Sequence, residues 1–304
     1  PDLVMGVGAA LRRMGCQVVD IGPVTRPAFW FAVDHLSASA GVHVTGAGCD
    51  PAWIGMDFVR QAVRPCSQGG ELERIDERYR QGHGRPSRRP GSQRLLSVMP
   101  VYEAGLWKHF HALRPLRIAL GCPNRILREL LGRLFRKLAC RLLPVEIPVR
   151  ARNLTDPRDP DLAGVARVVR DQSAHLGLLI DDDAQSCAFF DENGARAGWE
   201  SVLRLLAELE READPTGRVV LEETGKTPAV WGDVLPAVAS GLAGMSRALR
   251  EPGVVCGGGP SGRYWFAGSY PHCDAVLTLV KILQVLSRRD TPFSEVLSAG
   301  SLGC

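Results

Sequence analysis

Short apolar runs alternate with longer amphipathic segments over residues 1–45 of this chain. Apolar residues recur at helical spacing over 3–14, with Gly15 as the stop, and again over 28–36. The runs 17–22 and 41–44 are short and apolar, which predicts buried strands. Helix, strand, helix, strand is the order of a parallel sheet with covering helices, so the sequence predicts an α/β fold.

The same alternation continues to the end of the chain, in three units of ordinary domain size. Further strands are predicted at 116–120, 142–149, 176–180, 218–221 and 254–255. Further helices are predicted at 70–80, 95–113, 126–138, 161–172, 200–211, 235–249 and 273–286. Pro144 and Pro148 favour an edge position for the second of these strands. We therefore expect domains over 1–112, 113–213 and 214–304.

Composition restricts the class of protein and its partners. Hydrophobic residues make up 45% and charged residues 23% of the chain, which excludes a disordered protein. The net charge of +4 comes from scattered arginines, so we expect no nucleic-acid partner. Nine cysteines without a C-x-x-C pair predict free thiols in a reducing cytoplasm. No run reaches membrane length, and a first residue of Pro1 suggests a start inside a domain.

A loop of small residues, 45–50, follows the predicted strand at 41–44. We call 45–55, which contains it, the small-residue loop. Pro51 stops a continuing strand, and Trp53 supplies an apolar anchor. Small residues let a backbone approach another molecule closely, and open α/β sheets bind ligands at the carboxyl ends of strands. On composition alone, an ordinary strand-to-loop corner is the better interpretation.

Three consecutive acids, Asp181 to Asp183, follow the predicted strand at 176–180 and open the carboxylate loop, 181–186. Carboxylates suit a hard cation such as Mg²⁺. In extended backbone Asp181 and Asp183 would point the same way and Asp182 the other. A solvated turn explains the three acids equally well.

A third candidate is the glycine loop, 257–263, which follows the strand at 254–255 and precedes three aromatic residues. Glycine-rich loops can cradle phosphate, but this one indicates such a role only weakly. A tight β-turn is the better interpretation from the residues alone.

In order and spacing, four segments resemble motifs of the α-D-phosphohexomutases, the phosphomannomutase and phosphoglucomutase family. Residues 15–28 are similar to Gly-x-x-Val-x-Asp-Ile-Gly…Pro-x-Pro, and 45–55 to the active-site loop Thr-Ala-Ser-His-Asn-Pro-x-x-Tyr-Asn-Gly. Residues 181–186 are similar to the metal loop Asp-Gly-Asp-Gly-Asp-Arg, and 257–263 to the sugar loop Gly-Gly-Glu-x-Ser-Gly-His. The resemblance implies three consecutive α/β/α domains with mixed, mostly parallel sheets. We expect the family's fourth domain to be absent.

At the active-site loop the resemblance implies that the nucleophile is lost. Ala47 stands at the family's phosphoserine position, with Gly48 and Cys49 at the His and Asn that follow. A methyl group cannot carry a phosphoryl group. Thr45 and Cys49 lie two residues away on either side, and reaction at either would require the loop to be redrawn.

The metal loop is altered in the same way. Asp181 and Asp183 match two of the family's three Mg²⁺ ligands, whereas Gln185 replaces the third. Ser186 replaces the arginine that contacts phosphate. With one carboxylate neutral and the phosphate missing, we expect Mg²⁺ binding to be weak or lost.

The sugar loop supplies the predicted substrate-binding residues Gly258, Gly259, Ser261 and Arg263. Gly259 replaces the glutamate that contacts sugar hydroxyls, and Arg263 replaces the histidine. Loss of that acceptor reduces discrimination between sugars. A sugar phosphate is nevertheless the partner that the resemblance implies.

These features favour a phosphohexomutase-like protein of carbohydrate metabolism that is catalytically inactive, a pseudoenzyme of an isomerase family. The alternative is an active intramolecular phosphotransferase that interconverts hexose 1- and 6-phosphates with Mg²⁺. A third hypothesis is a decayed or truncated gene product without function.

Overall fold

The computed structural model describes residues 2–47, 50, 52–82, 84–223 and 241–298, together with the backbone of 234–238 and 299. Helices and strands alternate through these residues, which confirms the predicted α/β class with mixed, mostly parallel sheets. Within these described residues, the strands form four sheets of two, three, four and five strands. Apolar strands and the helices that cover them meet in the core, as such layered folds require.

The helices and strands follow in chain order. The first part of the chain contains α1 (Asp2–Arg13), β1 (Val18–Asp20), α2 (Arg26–His35), β2 (Ala40–Thr45), β3 (Gly55–Arg60), β4 (Arg64–Pro65), α3 (Glu71–Arg80), β5 (Gln93–Leu95) and α4 (Met99–Trp107). The middle contains β6 (Arg117–Gly121), α5 (Arg125–Phe135), β7 (Arg141–Val145), α6 (Pro160–Asp171), β8 (Leu176–Ile180), β9 (Cys187–Phe190) and α7 (Trp199–Arg211). The last part contains β10 (Arg218–Glu222), β11 (Val234–Val238), α8 (Leu242–Ala248), β12 (Val254–Gly258), β13 (Tyr264–Phe266), β14 (His272–Cys273), α9 (Ala275–Ser287) and α10 (Phe293–Ala299).

The sequence predicts that the first two strands belong to one parallel sheet, but in the structure they do not pair with each other. Among the described residues, β1 pairs in parallel with β5, whereas β2 pairs antiparallel with β3, with Thr45 opposite Gly55. The small-residue loop is short enough to return the chain as a hairpin, and a hairpin requires antiparallel neighbours. The loop does leave the carboxyl end of a strand, as expected.

The four-stranded sheet has the order β7-β6-β8-β9, with β6, β7 and β8 parallel and β9 antiparallel. Its edge strand β7 contains Pro144, which confirms the edge position that the prolines predict. The carboxylate loop connects β8 to β9, so it lies at the carboxyl end of a fully buried parallel strand.

The five-stranded sheet has the order β11-β10-β12-β13-β14. The helix predicted over 235–249 is wrong in its first half, because Val234–Val238 is a strand paired in parallel with β10. Pro236 lacks the N–H that a helix interior needs, and Gly241 adopts a φ of 112° that starts α8 afresh. The helix predicted over 95–113 is likewise shorter, since Leu95 ends β5 and α4 covers only Met99–Trp107.

One apolar core joins the two larger sheets to α2 and α4. Helix α9 is buried along almost its whole length. Asp274 caps α9 by accepting the N–H groups of Val276 and Leu277, and it also accepts the buried Tyr102 hydroxyl of α4 at 2.5 Å. An N-cap carboxylate and a long-range hydrogen bond thus fix this helix against the first part of the chain.

Candidate functional site

The three candidate loops line one cleft of about 430 Å³. It lies where the small-residue loop meets the carboxyl ends of β7 and β8, with the glycine loop beside them. Its lining consists of Arg26, Ala47, Arg152, Asn153, Leu154, Thr155, Asp181, Asp183, Ser186, Ser261 and Arg263. Sequence motifs far apart in the chain therefore contribute to a single site.

Contacts within the small-residue loop fix the position of Ala47. The Ala47 N–H donates to the Thr45 hydroxyl oxygen at 3.0 Å. A Cβ atom on Gly46 would lie 2.8 Å from the carbonyl oxygen of Trp53, so the two sides of the loop touch. Ala47 presents only a methyl group at the cleft wall. Gly48 and Cys49, which the sequence places in the same motif, lie outside the described residues.

Asp183 is buried and saturated with hydrogen bonds. Its Oδ1 accepts the N–H groups of Gln185 and Ser186, and its Oδ2 accepts the Ser186 hydroxyl at 2.9 Å and Arg263 Nη2 at 2.8 Å. Burial opposes ionisation, but the Arg263 charge and the two N–H donors outweigh it and lower the pKa of Asp183. The side chain is a permanent carboxylate at neutral pH.

Asp181 lies in the same loop, but its pKa is shifted in the opposite direction. Its Oδ1 accepts Arg152 Nη1 at 2.8 Å and the N–H of Asp182 at 2.9 Å. Burial, followed by the neighbouring charge of Asp183, raises the pKa of Asp181 to about 6 despite the arginine.

Arg152, which the sequence reasoning missed, is the fixed cation beside Asp181. Its side chain has no solvent exposure. Besides Asp181, it donates from Nε to Asp161 Oδ2 at 3.1 Å and from Nη2 to the Pro148 carbonyl at 2.6 Å. Arg150 Nη2 donates to the same Asp161 oxygen at 2.7 Å. The only sequence signal for this cluster is its position after β7, a strand of the same sheet as β8, which leads into the carboxylate loop.

Gln185 bonds into the interior of the protein. It is fully buried, its Oε1 accepts Arg26 Nη1 at 3.3 Å, and its Nε2 donates to the Cys273 carbonyl at 3.5 Å. Arg26 also donates to Asp57 Oδ2 at 2.8 Å. Burial opposes ionisation of Asp57, but the partners His43 and Arg26 outweigh it and lower the pKa of Asp57.

The glycine loop is closed around Glu222 of β10, another residue that the sequence reasoning missed. Glu222 accepts the Ser261 hydroxyl at 2.6 Å and the Ser261 N–H at 3.2 Å. A Cβ atom on Gly259 would lie 2.6 Å from the Cβ of Glu222, so no side chain fits at 259 while Glu222 is there. A carboxylate therefore stands beside the loop, but it comes from another strand.

The glycine loop is also attached to the carboxylate loop. Ser186 and Arg263 form a β-bridge, and the Cys187 N–H donates to the Gly262 carbonyl at 2.9 Å. Gly262 has a φ of 75°, and a Cβ there would lie 2.6 Å from the Cys187 carbonyl oxygen. Gly258 is buried in the same turn. The contact places Ser261 and Arg263 in the cleft lining.

Metal-ligand clusters, disulfides and membrane spans are not found in the part of the chain that the structure describes. No group of three or more His, Cys, Asp or Glu side chains is placed to hold a metal ion among those residues. The seven described cysteines are free thiols. Within the described helices, none has both the length and the apolar character needed to cross a membrane.

No family model matches the chain, but curated proteins and solved structures do. It is 22% identical over 316 residues to a phosphomannomutase/phosphoglucomutase of Pseudomonas aeruginosa, covering 98% of this chain and 66% of that protein. It is 25% identical over 292 residues to a phosphomannomutase of Salmonella typhimurium, covering 90% of this chain and 64% of that protein. The structure of a phosphoglucomutase/phosphomannomutase family protein from Burkholderia thailandensis superimposes with a TM-score of 0.85 at 23% identity, over 97% of this chain and 68% of the other.

These comparisons confirm the resemblance that the sequence motifs indicate, and the structural match confirms the fold. This chain spans about two thirds of the length of the curated relatives that it matches, 66% of the first and 64% of the second.

Proposed function

We propose that this chain, a relative of the phosphomannomutases and phosphoglucomutases, binds a sugar phosphate in its cleft without transferring the phosphoryl group. The observation that carries the proposal is Ala47, whose side chain lines the cleft at the position that the resemblance gives to the nucleophile. Phosphoryl transfer through a covalent intermediate needs an oxygen at that point. The protein is then a pseudoenzyme of carbohydrate metabolism.

Thr45 does not replace the missing hydroxyl. Its hydroxyl oxygen accepts the Ala47 N–H at 3.0 Å. Thr45 is also the last residue of β2, where it pairs with Gly55. Moving it to the Ala47 position would break both the loop hydrogen bond and the strand pairing. Reacting atoms must approach to about 3–3.5 Å, so a nucleophile two residues away does not serve.

The polar lining supports the binding half of the proposal. Three guanidinium groups and two carboxylates line the cleft, which leaves a formal excess of one positive charge (3 − 2). Guanidinium groups form strong charge-assisted bonds to phosphate oxygens, and those of Arg26 and Arg263 keep partial solvent exposure, whereas Arg152 contributes only its charge. Three hydroxyls, from Thr155, Ser186 and Ser261, lie in the same lining and match the hydroxyls of a sugar.

The remaining parts of the proposal follow from the sequence analysis. We assign three phosphohexomutase-type units to 1–112, 113–213 and 214–304, the first with the two- and three-stranded sheets and the others with one larger sheet each. The free cysteines support a reducing, cytoplasmic location. Mg²⁺ plays no part in the proposed binding.

Calorimetric titration with glucose 1-phosphate and mannose 1-phosphate tests the binding. We expect saturable heat at millimolar ligand, and we expect Ala47→Glu to abolish it by placing a negative charge at the cleft wall. Ala52→Glu adds the same charge at an exposed position outside the lining and serves as the matched control. Absence of heat with the wild-type chain would contradict the proposal.

An assay for phosphoglucomutase and phosphomannomutase activity, with hexose bisphosphate and MgCl₂ added, tests the other half. We expect no turnover. Turnover that disappears when Thr45 is replaced by Val would establish the alternative, an active intramolecular phosphotransferase.

A further inference from the structure

Three arginines from three distant parts of the chain bind alternate residues of the carboxylate loop. Arg152 binds Asp181, Arg263 binds Asp183 and Arg26 binds Gln185, at 2.8, 2.8 and 3.3 Å. We propose that the guanidinium groups of Arg152 and Arg263 take the place of a divalent cation, so that the loop is charge-balanced and closed without Mg²⁺.

The hydrogen bonds of Asp183 leave no vacant position for a metal ion. A carboxylate accepts about four hydrogen bonds, and Asp183 already accepts four, from two N–H groups, one hydroxyl and Arg263. Mg²⁺ requires oxygen ligands at about 2.0–2.1 Å in near-ideal octahedral geometry. It could bind Asp183 only by displacing Arg263 or the Ser186 hydroxyl.

Arg152 closes the other side of the loop. It has no solvent exposure and its three nitrogens all donate, to Asp181, Asp161 and the Pro148 carbonyl. A buried guanidinium held at three points does not swing away to admit a cation. A divalent ion between Asp181 and Asp183 would also be repelled by two fixed positive charges in a site of low dielectric.

The third position of the loop does not restore a ligand. Gln185 is neutral, is fully buried and uses its Oε1 to accept from Arg26. An amide carbonyl can bind Mg²⁺, but this one would have to leave its arginine and the interior. In place of a dissociable metal ion, the loop is therefore bound by arginine side chains. These arginines come from the beginning, middle and end of the sequence.

Mn²⁺ binding, followed by the loss of the free-ion signal in electron paramagnetic resonance, tests the proposal directly. We expect no binding to the wild-type chain at micromolar to millimolar Mn²⁺. We also expect MgCl₂ to change its unfolding temperature no more than NaCl of equal ionic strength. Arg263→Met, whose arginine is 30% exposed, should bind Mn²⁺ and gain unfolding temperature specifically with MgCl₂.

Arg150→Met is the matched control, because Arg150 is 34% exposed and pairs with Asp159 and Asp161 but not with the carboxylate loop. It should lose some stability and gain no metal binding. Wild-type protein that binds Mn²⁺ would overturn the proposal, and so would a folded Arg263→Met that binds none. The wild-type titration decides the matter if the variant fails to fold. Because no sugar phosphate is present, the result is independent of the proposed function.

Discussion

Two loops line the same cleft and differ in how they depart from the family motifs that they resemble. In the small-residue loop Ala47 offers only a methyl group, and among the described residues its N–H donates to the Thr45 hydroxyl while Gly46 packs against the Trp53 carbonyl. In the carboxylate loop the acids remain, but arginines bind them. We expect the small-residue loop to tolerate substitutions. In the carboxylate loop, by contrast, each charged side chain depends on its ion-pair partner. The predictions below test that difference.

The largest effect should come from Arg152→Met. Removing this fully buried guanidinium leaves Asp181 as a buried charge without its arginine partner, while Asp161 keeps only Arg150. We expect the free energy of unfolding to fall by about 3–5 kcal/mol, as for other broken buried ion pairs. Urea denaturation at pH 7 measures it. Arg150→Met, a partly exposed arginine, should cost no more than about 1 kcal/mol, and equal losses in the two variants would contradict the special role of Arg152.

The next effect is a pH dependence carried by Asp181. Burial and the charge of Asp183 raise the pKa of Asp181 to about 6 in the folded chain, above its ordinary value of 3.8. The folded state then binds the proton more tightly than the unfolded state, so this contribution to stability is complete below about pH 4. It is lost as the pH rises through about 6. The size is on the order of 3 kcal/mol at 1.36 kcal/mol per pKa unit.

Urea denaturation between pH 4 and pH 7 checks this sign. The difference in unfolding free energy between the wild type and Asp181→Asn should change in that window, with the wild type relatively more stable at the acid end. A difference that is independent of pH would show that Asp181 does not titrate as described.

A smaller effect concerns the contact between Gly259 and Glu222. Because residue 259 has no room for a Cβ atom, we expect Gly259→Ala to lower the free energy of unfolding by about 1–3 kcal/mol through overpacking. In a Glu222→Ala background the same substitution should cost much less, because the obstructing side chain is gone. A double-mutant cycle by thermal or urea unfolding measures the coupling, and strictly additive losses would contradict it.

The smallest effect should be that of Ala47→Ser on stability, within about 0.5 kcal/mol. The added hydroxyl lies at a cleft wall, so it does not require burial of an unsatisfied group. We also expect this variant to show no mutase activity, because Gln185 and the arginine-bound carboxylates are unchanged. Recovery of turnover by this one substitution would mean that the chain differs from an active enzyme only by the missing hydroxyl at residue 47.

The sequence predicted the positions of the three loops because their signals are local. Glycines, prolines and acids after apolar runs mark strand ends wherever they occur, and Asp181, Ser261 and Ala47 indeed meet in one cleft. The resemblance supplied their roles. Helix boundaries were predicted well where the apolar period was regular, as in α6 and α7.

What was missed depends on contacts between distant residues. Arg152 lies 29 positions from Asp181, and Glu222 lies 39 positions from Ser261. Arginine in a loop has no pattern that reveals which carboxylate it will bind. Strand β11 was mistaken for helix because Val234–Val238 is a short run of apolar residues and proline, and such runs carry no period that distinguishes a strand from a helix.

Intact-mass spectrometry after incubation with glucose 1,6-bisphosphate and MgCl₂ tests most directly whether this cleft transfers phosphate. The account predicts an unmodified chain, since Ala47 offers no oxygen and the carboxylate loop admits no Mg²⁺. A stable mass increase of one phosphoryl group, mapped by digestion to a residue of the small-residue loop, would contradict it.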